Sequence, residues 1–264
     1  MRLTFLGTGG GRVVVMKQLK ATGGWVLEID NEKIHIDPGP GALVRARQYR
    51  TKIERLTAVV VSHAHPDHYT DAEMMIEVMT EGGRKRKGVL IGNEHVINGG
   101  DGYRPVVSPF HLNALEAYHV LTPNRKVRIG NIEVLATETR HTEPKGIGLV
   151  FKGSRTLGYT SDGEYFKGQE KYFQGCDYLV LNVLRPKGIK WPKHMNSEQA
   201  VKLISAVKPK IAIINHFGLL MLKAGVDKEA KWIEEQTGVK VIAAKDGMTI
   251  NLENTPEGLG KWIR

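Results

Sequence analysis

Residues 63–68, HAHPDH, are the feature that most limits what this chain can fold into and do. They place three histidines and one aspartate within six positions, directly after the apolar, β-branched run AVVVS at 58–62. Such a run predicts a buried β-strand, and the imidazoles at 63 and 65 can point the same way, as alternate residues do on extended chain. The donors therefore stand at the end of a rigid element, which favours a metal centre over a crowded surface loop.

Three further candidates stand at the same kind of position, where a predicted strand meets a loop. His141 follows the strand ending LATETR, Asp162 follows LGYTS, and His216 ends KIAIIN. A lone histidine at a strand end is more often structural than a ligand, but strand ends of one layered sheet system can gather these groups at a single edge. With the dense motif they give seven candidate ligands: His63, His65, Asp67, His68, His141, Asp162 and His216.

Seven nitrogen and oxygen donors are enough to saturate two divalent ions. Cys176 is the only cysteine, so no thiolate cluster can form. Zinc is the first choice for such a donor set, and manganese or iron also fits it.

The order of predicted elements indicates two similar halves. WVLEID at 25–30 with KIHID at 33–37, and VRIGNIEVLATE at 127–138, are hairpins, and strands alternating with helices follow each. A helix is predicted between Tyr69 and Thr80, with Met74, Met75, Val78 and Met79 on one side; another is predicted over 197–207, with Ser197 as its cap. This pattern favours an α/β fold of two stacked sheets with helices outside, and no composition break divides residues 1–264, so we expect a single domain.

Composition and charge indicate the class of partner and the cellular compartment. Lys and Arg number 38 against 28 Asp and Glu, a formal net charge of +10. That excess favours anionic partners, nucleic acid among them, although a lysine-rich surface also serves solubility. No apolar run approaches the roughly 20 residues that cross a bilayer, and MRLTFLGTGGG lacks a signal-peptide core. With a single cysteine, these features predict a soluble, cytoplasmic protein without a membrane partner.

The seven candidate ligands and their order along the chain resemble the metallo-β-lactamase superfamily, whose HxHxDH signature stands here as HAHPDH. Asp37 in HIDPGPG, His141, Asp162 in TSDG and His216 in NHFG occur in the family's order. The resemblance implies a four-layer αββα sandwich, a dinuclear site at the edge between the two sheets, and ligand roles for the seven residues above. It also implies that Asp37 orients ligands without binding metal.

Differences from other branches of the superfamily disfavour two of its reactions. Flavodiiron oxidoreductases have a glutamate where this chain has His65, which disfavours redox iron, and common dinuclear β-lactamases have a cysteine where it has Asp162. LGTGGG, DPGPG and the segment from His194 to His216 most resemble the phosphodiesterase branch, which includes RNase Z and smaller cyclic-phosphate phosphodiesterases. The long arm with which RNase Z grips tRNA is not evident in the sequence.

The resemblance implies hydrolysis of RNA, nucleotides or small phosphodiesters. Two ions about 4 Å apart would hold a bridging hydroxide for in-line attack. Asp67 would accept a proton, and His194, 22 positions before His216, would assist at the phosphate; its alternative role is a surface histidine at a helix start. A lactone or thioester hydrolase is the main alternative, since the fold serves many reactions; a non-catalytic nucleic-acid-binding protein is another.

Substrate contacts are expected from the basic segment before His194. Four of its side chains are candidates for binding substrate phosphate or stacking on a base: Lys187, Lys190, Trp191 and Lys193. The same segment is equally typical of a solvated loop, and the charged block at 84–87 favours a solvated loop over a nucleic-acid contact. The stretch GTGGG at 7–11 predicts a tight turn that lets the backbone approach the metal site. A homodimer is compatible with the sequence, which predicts no interface.

Overall fold

The structure, a computed structural model, describes residues 1–252. Two seven-stranded sheets dominate that part of the chain. Their strands are Arg2–Phe5 (β1), Trp25–Ile29 (β2), Glu32–Ile36 (β3), Ala58–Val61 (β4), Val89–Gly92 (β5), Ala117–Val120 (β6), Lys126–Ile129 (β7), Ile132–Glu138 (β8), Ile147–Lys152 (β9), Thr156–Tyr159 (β10), Tyr178–Asn182 (β11), Ile211–Asn215 (β12), Lys240–Ala243 (β13) and Thr249–Asn251 (β14).

Helices connect these strands on the outer faces. They are Arg12–Lys17 (α1), Ala42–Gln48 (α2), Pro66–Tyr69 (α3), Ala72–Met79 (α4), Glu94–Ile97 (α5), Pro109–Asn113 (α6), Glu170–Phe173 (α7), Ser197–Val207 (α8), Leu219–Ala224 (α9) and Val226–Thr237 (α10), with a 3₁₀ turn at Ile53–Arg55. No helix within the described residues is both long and apolar enough to cross a membrane.

Strand β4 shows how the layers form. Alternate side chains of a strand point to opposite faces, so Val60 packs in the apolar core between the sheets, whereas Val59 and Val61 pack against α2 and α4 outside. In the second sheet, β11 likewise places Leu179 and Leu181 against α8 and α10. The four layers confirm the predicted αββα sandwich. The predicted single domain of 1–264 includes 253–264, which lie outside the described residues.

Strand direction decides where the polar residues gather. The first sheet has the order β14-β1-β2-β3-β4-β5-β6 and the second β13-β12-β11-β10-β9-β8-β7. Strands β3 to β6 run parallel, as do β10 to β13. Strand β8 has the same direction as β10, because both are antiparallel to β9. Residues that follow β3, β4, β8, β10 and β12 therefore reach the same end of their sheets.

Two local predictions were wrong. Met74 does not share the buried face of α4: its side chain is 45% exposed, and Ile76 lies in the core with Met75 and Met79. The cap of α8 is Asn196, whose side chain accepts from the Gln199 backbone N–H in a capping box, and Ser197 is the first helical residue.

Candidate metal centre

The HAHPDH stretch forms the turn between β4 and α3. The chain bends at residues 63 and 64 after β4 ends at Val61, and His65 is extended again at φ −94° and ψ 140°. Pro66 then takes the first position of α3, where its fixed φ suits a helix start. The turn of chain at that point brings Asp67 and His68 round to the same side as the first two imidazoles.

Three imidazoles form a first group. The Nδ1 atom of His65 lies 3.1 Å from His63 Nε2 and 3.0 Å from His141 Nε2. His63 and His141 are buried, and His65 is partly exposed. Imidazoles that follow strands of both sheets thus reach a common point, although 76 residues separate His65 from His141.

The Nδ1 atoms of His63 and His141 form hydrogen bonds outside the first group, and this leaves the Nε2 lone pair of each ring free. His141 Nδ1–H donates to the Lys193 carbonyl at 3.0 Å. His63 Nδ1 lies 3.0 Å from Ser62 Oγ, which itself donates to Asp37 at 2.8 Å and so accepts from the ring. Two unprotonated nitrogens therefore face the third imidazole at close range, an arrangement that a cation stabilises.

Asp67, His68 and His216 form a second group. His68 Nε2 is 3.2 Å from His216 Nε2, and the Asp67 carboxylate is 3.4 Å from His216 Nε2 and 3.8 Å from His68 Nε2. His68 lies on α3, which follows β4 of the first sheet, and His216 follows β12 of the second. This group therefore also combines residues from both halves of the fold.

Asp162 stands between the two groups. Its Oδ2 atom lies 3.7 Å from His68 Nε2 and 3.9 Å from His141 Nε2. Its other oxygen accepts from the Asn182 side-chain amide at 2.7 Å, which fixes the orientation of the carboxylate. His194 reaches the same place, with its Nε2 3.8 Å from Asp162 Oδ2.

Asp37 accepts hydrogen bonds from residues that hold both groups in place. Its Oδ1 accepts from the Ser62 backbone N–H at 2.7 Å, and its Oδ2 accepts from Ser62 Oγ at 2.8 Å, His68 Nδ1–H at 2.9 Å and the Tyr159 hydroxyl at 2.6 Å. By holding the proton on His68 Nδ1, this carboxylate directs the His68 Nε2 atom towards the second group.

Burial sets the charge of the first group. It lowers the pKa of His63 well below its ordinary value, lowers the pKa of His65, and lowers that of His141 to about 4. These imidazoles are neutral at pH 7, which is the form that binds metal.

In the second group, neighbouring charges together affect the pKa values more than burial does. Burial alone would lower the pKa of His68, but Asp67, Asp37 and Asp162 outweigh it and hold that pKa well above its ordinary value. Burial likewise opposes ionisation of Asp162, yet His216 and His68 keep the pKa of its carboxyl well below the ordinary value. The carboxylates around His68 therefore favour positive charge at this group.

The donor geometry fits divalent metal. Nitrogens bound at 2.0–2.1 Å in a tetrahedron around zinc lie about 3.3 Å apart, close to the 3.0–3.2 Å separations in the two groups. In addition, His216 Nδ1 is buried without a hydrogen-bond partner. Four overlapping triplets of donors lie within 4.8 Å: His63, His65 and His141; His63, His68 and Asp162; Asp67, His68 and His216; and His141, Asp162 and His194.

Strained backbone accompanies these side chains. Asp37, Ser161, Lys193 and His216 all have left-handed φ, between 52° and 63°. Such conformations cost free energy in residues other than glycine and persist where surrounding contacts require them. Gly10 gives room to one of them, since a Cβ at that position would lie 2.2 Å from His216 Nδ1. The predicted close approach of the glycine turn is thus present.

The candidate substrate residues have individual partners. The Lys187 ammonium lies 4.8 Å from the Trp232 ring centre, and the Lys193 ammonium lies 3.8 Å from Glu164. Trp191 is 52% exposed and carries the Arg185 guanidinium over its ring at 4.8 Å. Lys190 is exposed. The structure brings the backbone of this segment to the site through the Lys193 carbonyl, and the substrate role of its side chains stays a prediction.

Several residues that hold the site have no sequence signal of their own. Ser62, Tyr159, Asn182 and Glu143 are buried polar residues that contact predicted ligands, their supports or their loops. Position at the end of a strand is the one cue that Ser62 and Asn182 offered: Ser62 follows β4, and Asn182 is the last residue of β11.

A comparison with protein families identifies the class. The model of the beta-lactamase superfamily domain matches residues 32–217, and this chain belongs to that superfamily. The predicted family and fold are confirmed, and the chain is a metallo-hydrolase of this superfamily with candidate metal-binding clusters of histidine and aspartate.

Individual relatives extend the comparison. An uncharacterized protein of Methanocaldococcus jannaschii is 38% identical over 257 residues, 96% of each chain. A ribonuclease Z of Clostridium botulinum is 30% identical over 117 residues, 43% of this chain but 36% of that enzyme. The crystal structure of the metallo-beta-lactamase fold protein YhfI from Bacillus subtilis covers 94% of this chain and 98% of its own, with a TM-score of 0.76 at 20% identity.

Proposed function

We propose that this chain is a phosphodiesterase that uses two divalent ions. The position of Asp162 supports this most directly, since one carboxylate oxygen lies within 3.9 Å of both His68 Nε2 and His141 Nε2. A carboxylate between two donor groups is suited to bridge two ions. The seven predicted ligands would hold them, three imidazoles in the first group and Asp67, His68 and His216 in the second, with Asp162 shared.

Zinc is the ion that this nitrogen-rich set favours, and manganese or iron is compatible with it. When bound, the ions would supply Lewis acidity towards the phosphoryl oxygens and lower the pKa of a coordinated water towards neutrality. Asp37 and the Lys193 carbonyl keep His68 and His141 in the tautomers that present Nε2 as a ligand.

Asp67 is our candidate for the proton acceptor. Burial raises the pKa of its carboxyl, but His68 and His216 outweigh that effect and lower it to about 2. The Asp67 side chain is 18% exposed, against 4% for Asp162. An ionised carboxylate with this access can accept a proton and release it to solvent.

His194 is our candidate for contact with the phosphate. Its Nδ1–H donates to the Pro192 carbonyl at 3.1 Å, which turns Nε2 towards Asp162 at the rim of the two groups. In the imidazolium form, Nε2–H would donate a hydrogen bond to a phosphoryl oxygen or a proton to the leaving oxygen.

A phosphodiester fits the charge of the protein and its relatives. The net charge of +10 attracts anionic substrates, and the similar ribonuclease Z acts, by its name, on RNA. We therefore propose RNA, nucleotides or small phosphodiesters as the substrate class.

The test is hydrolysis of bis(p-nitrophenyl) phosphate by metal-loaded protein and its Asp162→Ala variant. Asp227→Ala is the matched control, because Asp227 is exposed on α10 and pairs with Lys245. We expect turnover by the wild type and the control, and a loss of at least about a thousand-fold in Asp162→Ala. Metal-loaded protein that leaves phosphodiesters intact but cleaves a lactone or thioester would contradict the proposed substrate. RNA binding without hydrolysis of any ester would contradict the proposed enzyme.

A further inference from the structure

Glu143 is a wholly buried carboxylate two residues after His141. One oxygen accepts from the Asn93 side-chain amide at 2.9 Å, and the other accepts a hydrogen bond from His95 Nδ1–H. Both donors follow β5 in the first sheet, whereas Glu143 lies on the loop between β8 and β9 of the second. A buried carboxylate is costly without such partners, so this contact holds the His141 loop against the opposite sheet.

The orientation of Asn93 is fixed by the start of α5. Its Oδ1 accepts from the Val96 backbone N–H at 2.9 Å, so its amide group must face Glu143. The same amide lies 3.5 Å from the carbonyl of Ser62, the residue before His63. Asn93 thus contacts both loops that supply the first group of imidazoles.

His95 carries the network outward to an exposed turn. Its ring stacks on Tyr103 at 4.5 Å, and its Nε2 lies 3.0 Å from the carboxylate of Asp101, whose side chain is 68% exposed. Asp101 has a left-handed φ of 51° between Gly100 and Gly102, which also have positive φ. Because carboxylates only accept, both contacts of His95 are made together when both ring nitrogens carry protons.

We propose that Glu143 is a positioning residue, which sets the place of His141 relative to His63 and His65 and links it through His95 to Asp101. This inference rests on the proposed metal-binding role of the three imidazoles. In Glu143→Gln, one carboxylate oxygen becomes an amide donor facing another donor, so the loop must shift and the first group widens.

The test uses cobalt(II), which reports coordination geometry by its visible absorption. Metal-free wild type, Glu143→Gln and Asp101→Asn are titrated with cobalt in competition with a chelator, and their urea unfolding is measured separately. Glu73→Gln is the matched control, because Glu73 also pairs with a histidine, His111, at 3.0 Å. Asp101→Asn keeps a residue that tolerates left-handed φ.

We expect Glu143→Gln to bind cobalt about ten-fold more weakly, with an altered visible spectrum. Asp101→Asn should lose about three-fold in affinity, and Glu73→Gln should match the wild type. Wild-type affinity and spectrum in a folded Glu143→Gln variant overturn the proposal, as does an unchanged Asp101→Asn if Glu143→Gln does not fold. A wild type that binds no cobalt overturns both this inference and the metal site. Protein that binds cobalt but cleaves no phosphodiester overturns the proposed function alone, since the spectra still test the position of His141.

Discussion

At the scale of single residues, Asp37 joins the supports of the two donor groups, because its carboxylate accepts from both Ser62 and His68. In Asp37→Asn, an amide replaces one acceptor oxygen and faces donors. We expect metal affinity to fall ten- to hundred-fold, measured by competition with a chelator. Asp177→Asn is the control, since Asp177 accepts from Thr156 N–H at the opposite end of β11. Equal affinities for the two variants would show that Asp37 does not orient the ligands.

His35 gives a prediction about pH. It is buried, and its Nε2–H donates to the Gly23 carbonyl at 2.8 Å; burial lowers its pKa from 6.5 to about 4. Between these values the unfolded chain binds a proton that the folded protein does not, so stability falls as the pH drops from 6.5 to 4. The histidine accounts for about 3 kcal/mol of that fall.

The comparison is between metal-free wild type and His35→Gln, whose amide can still donate to Gly23. Urea unfolding between pH 4 and 7 should show a smaller loss of unfolding free energy in the variant. Parallel curves for the two proteins would mean that His35 does not carry the effect.

At this scale, the sequence predicted residues whose chemistry is rare and whose spacing is dense. His63, His65 and His68 are distinctive together, and the structure places each of them in one of the two donor groups. Asn182 and Glu143 could not be found in this way, because their importance depends on partners 20 and 48 positions away. Only the folded chain brings those partners together.

At the scale of elements, α8 depends on Asn196. Its side chain accepts from the Gln199 N–H at 3.0 Å and donates to the Ile189 carbonyl at 3.3 Å, within the segment that carries His194. We expect Asn196→Ala to lower the free energy of unfolding by about 1 kcal/mol in urea denaturation. Ser197→Ala should change it little, since the buried Ser197 hydroxyl has no hydrogen-bond partner. If Ser197→Ala lost more free energy of unfolding than Asn196→Ala, Ser197 and not Asn196 would be the cap.

The sequence predicted this helix over its observed range, 197–207, but assigned its cap one residue late. Asparagine and serine are both strong caps, and adjacent candidates differ only in backbone conformation, which the letters do not specify. The face of α4 was misjudged for a similar reason: Met74 and Met75 are chemically identical, and the phase of the helix against β4 decides which one is buried.

At the scale of the whole molecule, the carboxyl ends of β4, β8, β10 and β12 lie at one edge of the two sheets, and the candidate ligands follow those ends. The alternation of strands and helices predicted this arrangement. The place of β14 was beyond the sequence, because this strand has only three residues and pairs with β1 at the other end of the described chain. The edge matters chemically because each donor group takes residues from both sheets.

The central claim is that these two groups hold two ions that share Asp162. Its most direct test is the number of zinc ions per chain, measured by mass spectrometry on protein that has been stripped of metal, reloaded with zinc and dialysed. We predict two ions per chain in the wild type and one or none in Asp162→Ala. A wild type that retains no zinc, or an Asp162→Ala variant that still retains two, would contradict the account.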